Sequence, residues 1–139
     1  MISDKINSGL NGNPVIPGDK SISHRSIIIP SISNGICEVK NFLKSDDVIN
    51  TLKALTLMGV KVEEKNNTLL IYGKGLNSLK KPNKEIYLGN SGTSARLLTG
   101  LLSSQNFNST LIGDSSLSSR PMGRISKPLA NMNAKIITT

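Results

Sequence analysis

The chain resembles itself, and this constrains its fold more than any other feature. Gly18 and Arg25 recur as Gly89 and Arg96, both 71 residues further on, while Val48, Leu55, Met58 and Lys61 recur as Met122, Leu129, Met132 and Lys135 at a constant offset of 74. An insertion of three residues reconciles the two offsets. A repeat of this length is one supersecondary unit used twice, so the elements of the first copy predict those of the second.

In the first copy Val15-Ile16 leads into Pro17-Gly18-Asp19-Lys20-Ser21, and an apolar run follows through Ile22, Ile27, Ile28 and Ile29. The pattern predicts strand, tight turn and helix, with Ser21 near the N-cap and Pro30 bending or ending the helix early. Ile36 to Phe42 reads as a strand. Asp46 to Met58 reads as an amphipathic helix, capped by Ser45 and stopped by Gly59. Val60 to Glu64 alternates apolar and charged residues, Asn66-Asn67 turns and Thr68 to Tyr72 returns, which is a hairpin signature.

Lys80 to Lys84 connects to the second copy. That copy is predicted as strand Glu85 to Leu88, turn Gly89-Asn90-Ser91-Gly92, helix Thr93 to Leu102, strand Thr110 to Ile112, a helix after Pro121 and strand Lys135 to Thr138. The implied class is α+β, built from repeated βαβαββ units at 15–81 and 82–139, the second truncated before its last strand. Residues 1–14 form a short strand and a turn-rich linker. A unit that stops early leaves a sheet edge without a partner, so the polypeptide is expected to be a fragment or the product of a shortened reading frame.

The formal charge of +8, from 17 Lys and Arg against 9 Asp and Glu, favours an anionic partner without choosing among phosphate metabolites, nucleic acid and membrane. Aromatics at 3%, with no Trp, leave little for stacking on bases and require an aliphatic core. The one cysteine, Cys37, excludes a disulfide framework and reads as a small buried hydrophobe in a reducing compartment. No apolar run approaches the roughly 20 residues of a bilayer span, and Met1-Ile2-Ser3-Asp4-Lys5 has no signal-peptide core, so a soluble cytoplasmic protein is expected.

Three helix starts carry basic residues. At the first, Lys20, Ser21 and Arg25 stand after a glycine turn, with Ser21 and Arg25 one helical turn apart. Free N–H groups, the positive end of the helix dipole, a hydroxyl and a guanidinium there can address one anion. At the second, Gly92 lets an anion approach the backbone, and Arg96 follows four residues later. The third is Ser118-Ser119-Arg120-Pro121, with Pro121 at a favoured first helical position.

No Walker A loop or dinucleotide fingerprint is present. His24, the only histidine, has no Cys or carboxylate at ligand spacing and reads as structural, so no metal is expected. Asp46 and Asp47 are first-turn acids opposing the dipole of their helix, and one of them can hold Lys20.

Pro-Gly-Asp-Lys-Ser-Ile-Ser-His-Arg at 17–25, Ser-Asp-Asp-Val at 45–48, Gly-Asn-Ser-Gly-Thr-Ser-Ala-Arg at 89–96 and Gly-Asp-Ser-Ser-Leu-Ser-Ser-Arg-Pro-Met at 113–122 resemble, in order and spacing, successive signatures of the 5-enolpyruvylshikimate-3-phosphate synthase family. The resemblance covers the chain from about residue 13 but only about the first third of a family member. It implies two domains of repeated βαβαββ units with substrates in the cleft between them. Residues 1–14 would belong to the first domain and 15–139 to part of the second.

The implied reaction transfers the enolpyruvyl group of phosphoenolpyruvate to the 5-hydroxyl of shikimate 3-phosphate, in the chorismate route to aromatic amino acids. By motif position Lys20 touches both substrates, Ser21 and Arg25 bind shikimate 3-phosphate, Gly92 and Arg120 hold phosphoenolpyruvate, and Asn90 and Thr93 shape that loop. The family implies no cofactor, no nucleic-acid or membrane partner and a monomeric full-length enzyme. Its general acid–base carboxylate and Lys lie beyond residue 139, so the isolated chain is expected to show no turnover. Gly92 is the residue of a glyphosate-sensitive site, whereas Leu97 stands where many sensitive members have Pro. Two alternatives remain: the enolpyruvyl transferase acting on UDP-N-acetylglucosamine, and a basic RNA-binding module.

Overall fold

The structure, a computed structural model, describes residues 11–138. Most of the expected short strand at 1–14 lies outside these residues, and 11–19 carry no regular structure. The expected strand at Val15-Ile16 is therefore absent: the two side chains are 96% and 71% exposed, with no ladder to fix them.

Helix α1 spans Lys20–Ile32. Asp19, and not Ser21, is its cap, because the Asp19 carboxylate accepts the Ile22 N–H at 2.7 Å and leaves Ser21 inside the first turn. Pro30 does not end the helix early. It lies in the last turn, where the Ser31 and Ser33 hydroxyls donate to the Ile27 and Ile29 carbonyls at 2.7 and 2.8 Å. Burial of Ile27 and Ile28 holds this turn against the bond that proline removes.

Strand β1 (Asn34–Lys40), helix α2 (Asp46–Leu57) and strands β2 (Lys61–Lys65) and β3 (Thr68–Lys74) follow. The strands form an antiparallel sheet in the order β1-β3-β2, with Val39 opposite Leu69 and Val62 opposite Ile71. Asn66 and Asn67 both have positive φ, 49° and 63°, as the tight two-residue hairpin turn requires. Alternate residues Leu69, Ile71 and Gly73 of β3 are buried. At Gly73 a side chain would collide with the carbonyls of Pro30 and Ser33, so glycine is what lets α1 lie close over the sheet.

Helix α2 closes as the sequence suggests. Gly59 takes φ 90°, its N–H bonds to the Thr56 carbonyl at 3.0 Å and the Val60 N–H to that of Leu55 at 3.1 Å. Strand β4 (Ile86–Tyr87) pairs in parallel with β5 (Leu111–Ile112), with helix α3 (Gly92–Leu102) between them in the chain. One aliphatic core runs through both parts, from Ile27, Leu55, Met58, Leu69 and Ile71 to Ile86, Leu88, Leu98 and Leu117. Cys37 stands at its edge, half-buried.

The helix expected after Pro121 is present as α5 (Gly123–Asn131), but Pro121 is not its first residue: Met122 is the cap, and a separate short helix α4 (Ser115–Ser118) precedes it, started by the Asp114 carboxylate, which accepts the Leu117 N–H at 2.7 Å. One further expectation fails. Residues 135–138 form no strand, since an alternating pattern makes one only where a ladder takes up its backbone groups.

Candidate functional site

The first turn of α1 carries Lys20 and Ser21, with Arg25 a turn further along; all three are exposed. Lys20 is fixed by α2: its Nζ lies 2.9 Å from Asp47 Oδ2, with the side chains 50% and 26% exposed. Asp47 is thus the first-turn acid that holds Lys20. In so open a setting the pair orients the ammonium more than it stabilises the fold. No hydrogen bond of Ser21 or Arg25 reaches α3 or Arg120 among the described residues.

The second loop is tighter. Gly89 turns with φ 58°, Ser91 caps α3 by accepting the Ser94 N–H at 3.1 Å, and Gly92 is buried at the first helical position. Two guanidinium groups stand over that glycine, such that a β-carbon on residue 92 would lie 2.8 Å from Arg120 Nη1 and 2.9 Å from Arg96 Nη1. Arg96 Nη1 donates to the Gly92 carbonyl at 3.3 Å. Arg120 Nη2 donates to Asn90 Oδ1, and Asn90 Nδ2 donates to Asp114 Oδ2 at 3.0 Å. The bonded amide N–H of Leu117, then the Asn90 amide and the Arg120 charge, hold the Asp114 carboxyl below its usual range.

The two loops are joined from behind. Ser94 Oγ donates to the Asp47 carbonyl at 3.2 Å and lies 2.7 Å from Thr51 Oγ1, so the start of α3 rests on the first turns of α2, the helix that holds Lys20. Gly92, Arg120 and Asn90 are therefore directly together, and Lys20 is tied to them through α2. Ser21 and Arg25 share the Lys20 helix alone.

Sequence reading marked Arg96 at the second helix start without giving it a substrate, and left Asp114 and the Thr51–Ser94 link out of the site. The 71-residue repeat pairs Arg96 with Arg25 and was the available signal for it. Nothing in the spacing shows that Asp114 meets Asn90, since 24 residues separate them. A neighbouring cleft of about 380 Å³ is lined by Asp46, Asp47 and Asp114 against Lys53 alone among basic residues. Its sign opposes an anion, whereas the face with the two guanidinium groups carries the opposite sign.

A model of the EPSP synthase (3-phosphoshikimate 1-carboxyvinyltransferase) family matches residues 5–139. The chain belongs to the EPSP synthase family. Family relatives include the 3-phosphoshikimate 1-carboxyvinyltransferases of Ruthia magnifica, 52% identical over 132 residues, and Oenococcus oeni, 49% identical over 131. These alignments take in 95% and 94% of this chain but 30% of each relative, so the chain spans under a third of their length. The solved EPSP synthase from Acinetobacter baumannii superposes with a TM-score of 0.88 at 51% identity, over 92% of this chain and 29% of that one. Family membership and the shared mixed helix-and-strand fold agree with the α+β class. Among the described residues no helix is long and apolar enough to cross a membrane.

Proposed function

We propose that this chain is the substrate-binding part of an enzyme transferring the enolpyruvyl group of phosphoenolpyruvate to the 5-hydroxyl of shikimate 3-phosphate. The single observation that carries the reading is the pair of guanidinium groups over Gly92 at the start of α3. There two charges, the N-terminal end of a helix and a side-chain-free backbone position come together. Lys20 serves both substrates, Ser21 and Arg25 take the phosphate of shikimate 3-phosphate, and Gly92 and Arg120 take phosphoenolpyruvate. Asn90, held by Asp114, aims Arg120.

The chemistry asks for this arrangement. Both substrates are polyanions, and their repulsion at reduced dielectric amounts to several kcal/mol, so fixed cations must offset it before they meet. The 5-hydroxyl oxygen bonds to C2 of phosphoenolpyruvate as its proton leaves and C3 gains one. The adduct then loses phosphate and a C3 proton to give the enol ether. The described residues hold charge rather than move these protons: Asp47 is paired with Lys20, Asp114 is bonded to Asn90 and Leu117, and His24 is buried. On this reading the 139 residues alone bind without turnover.

The repeat belongs to this reading. α1-β1-α2 and α3-β5-α5 follow one order, and α5 closes as α2 does: Asn133 takes φ 67°, with the Asn133 and Ala134 N–H groups bonding to the Ala130 and Leu129 carbonyls. These likenesses support reading residues 15–81 and 82–139 as two units of one substrate-binding domain.

Calorimetric titration of the purified chain with shikimate 3-phosphate and UDP-N-acetylglucosamine, and with single-stranded RNA at rising salt, tests the proposal. Saturable binding of shikimate 3-phosphate that persists at salt concentrations abolishing RNA binding is expected. Preference for the UDP-sugar, or accumulation of enolpyruvylshikimate phosphate with the chain alone, contradicts it.

A further inference from the structure

His24 is fully buried and makes one hydrogen bond, from Nδ1 to Thr51 Oγ1 at 2.9 Å; its Nε2 has no partner. Thr51, also fully buried, stands 2.7 Å from Ser94 Oγ, which lies 2.5 Å from Ser91 Oγ and 3.2 Å from the Asp47 carbonyl. This chain of groups crosses from α1 through α2 to the cap and first turn of α3. Substrate binding as described above uses none of its side chains.

Counting protons decides how the chain is wired. With the proton on Nδ1, His24 donates to Thr51, Thr51 to Ser94, Ser94 to the Asp47 carbonyl and Ser91 to Ser94, so every hydroxyl proton has an acceptor. Only the Nε2 lone pair is then unmatched. With the proton on Nε2, a buried N–H has no acceptor and the Thr51 hydroxyl must turn to Nδ1, away from Ser94 and from the Asp47 carbonyl, which it otherwise reaches at 3.3 Å. An orphaned donor is the rarer and costlier state. Burial also lowers the imidazole pKa; Asp47 on α2 opposes this and Lys20 on α1 adds to it.

We propose that His24, as the neutral Nδ1–H tautomer, is a positioning residue that holds the start of α3, and with it Gly92 and the anion loop, in register with α2 through Thr51 and Ser94. Its effect on phosphoenolpyruvate rests on the function proposed above. A connected, fully satisfied polar network specifies one arrangement of the helices it joins, which an apolar side chain of similar size does not.

The test uses the full chain and its His24→Asn, His24→Gln and His24→Leu variants. Asn places an amide N–H near the Nδ1 position, Gln places it near Nε2, and Leu supplies bulk alone. As the only histidine, His24 is read directly by imidazole ¹⁵N chemical shifts, which are expected to show a neutral ring protonated at Nδ1. The Gly92 and Ser94 amide resonances are expected to stay in place in His24→Asn and to move in His24→Gln and His24→Leu. Phosphoenolpyruvate affinity is expected to stay within about threefold of the parent in His24→Asn and to fall roughly tenfold in the other two.

A ring protonated at Nε2, or His24→Leu with unmoved Ser94 amide and parental affinity, overturns the proposal. Should His24→Leu not fold, Thr51→Val, which removes the hydroxyl and keeps the volume, must reproduce the amide shifts; unmoved amides there overturn it equally. A parent chain that binds neither substrate counts against the proposed function, while the tautomer and amide shifts still decide the role of His24.

Discussion

At Gly92 an added methyl group meets Arg120 Nη1 and Arg96 Nη1, both at the ends of long side chains, so the cations yield and the fold does not. Gly92→Ala is therefore expected to leave the melting temperature nearly unchanged and to weaken phosphoenolpyruvate binding about tenfold, close to 1.4 kcal/mol. Calorimetry reads both, and unchanged affinity contradicts the placement of phosphoenolpyruvate at this glycine. Glyphosate, if it shares the loop, loses affinity in the same variant. The other residue-scale expectation is acid sensitivity at His24. Its folded pKa lies below the ordinary 6.5, so between the two values the unfolded chain binds the extra proton. Stability is fully present above about pH 6.5 and falls as pH drops through the folded value, by at most about 1.4 kcal/mol per pH unit. Urea midpoints from pH 7 to 5 are expected to slope less in His24→Asn; equal slopes refute the assignment. The depressed Asp114 carboxyl acts in a lower window, below its ordinary 3.8.

Among the elements, α2 does most to connect the fold to the site, since its buried face anchors the core and its first turn holds Lys20 and receives Ser94. Leu55, fully buried, is expected to cost about 2–5 kcal/mol on mutation to Ala, read by urea unfolding; a loss well under 1 kcal/mol would show the core to be loose there. This helix was legible in the sequence, because apolar spacing and Gly59 report on local geometry. The Asn66-Asn67 hairpin was legible for the same reason. Where two local signals compete, reading along the chain chose wrongly: Asp19 outcompeted Ser21 as cap, Asp114 started a helix ahead of Pro121, and hydroxyl bonds carried α1 past Pro30. The basic residues of the site were visible, but the contacts that aim them, such as Asn90 with Asp114 and Ser94 with the Asp47 carbonyl, join positions 24 and 47 residues apart. Only tertiary packing creates such contacts.

For the whole molecule, the surplus of +8 has a use if its members at separate turns face one space. Asp47 on α2 orients Lys20, the Gly92 carbonyl holds Arg96 and Asn90 holds Arg120, and the acidic cleft beside Lys53 borders these contacts through Asp47 and Asn90. The measurement that addresses this most directly is a ¹⁵N-resolved NMR titration of the chain with shikimate 3-phosphate, followed by phosphoenolpyruvate. The expected result is that Lys20, Ser21 and Arg25 respond to the first ligand, Gly92 and the Arg120 side chain to the second, and Lys20 to both. Shifts confined to the residues around Lys53 and Asp114, or scattered over unrelated faces, would contradict a shared anion site.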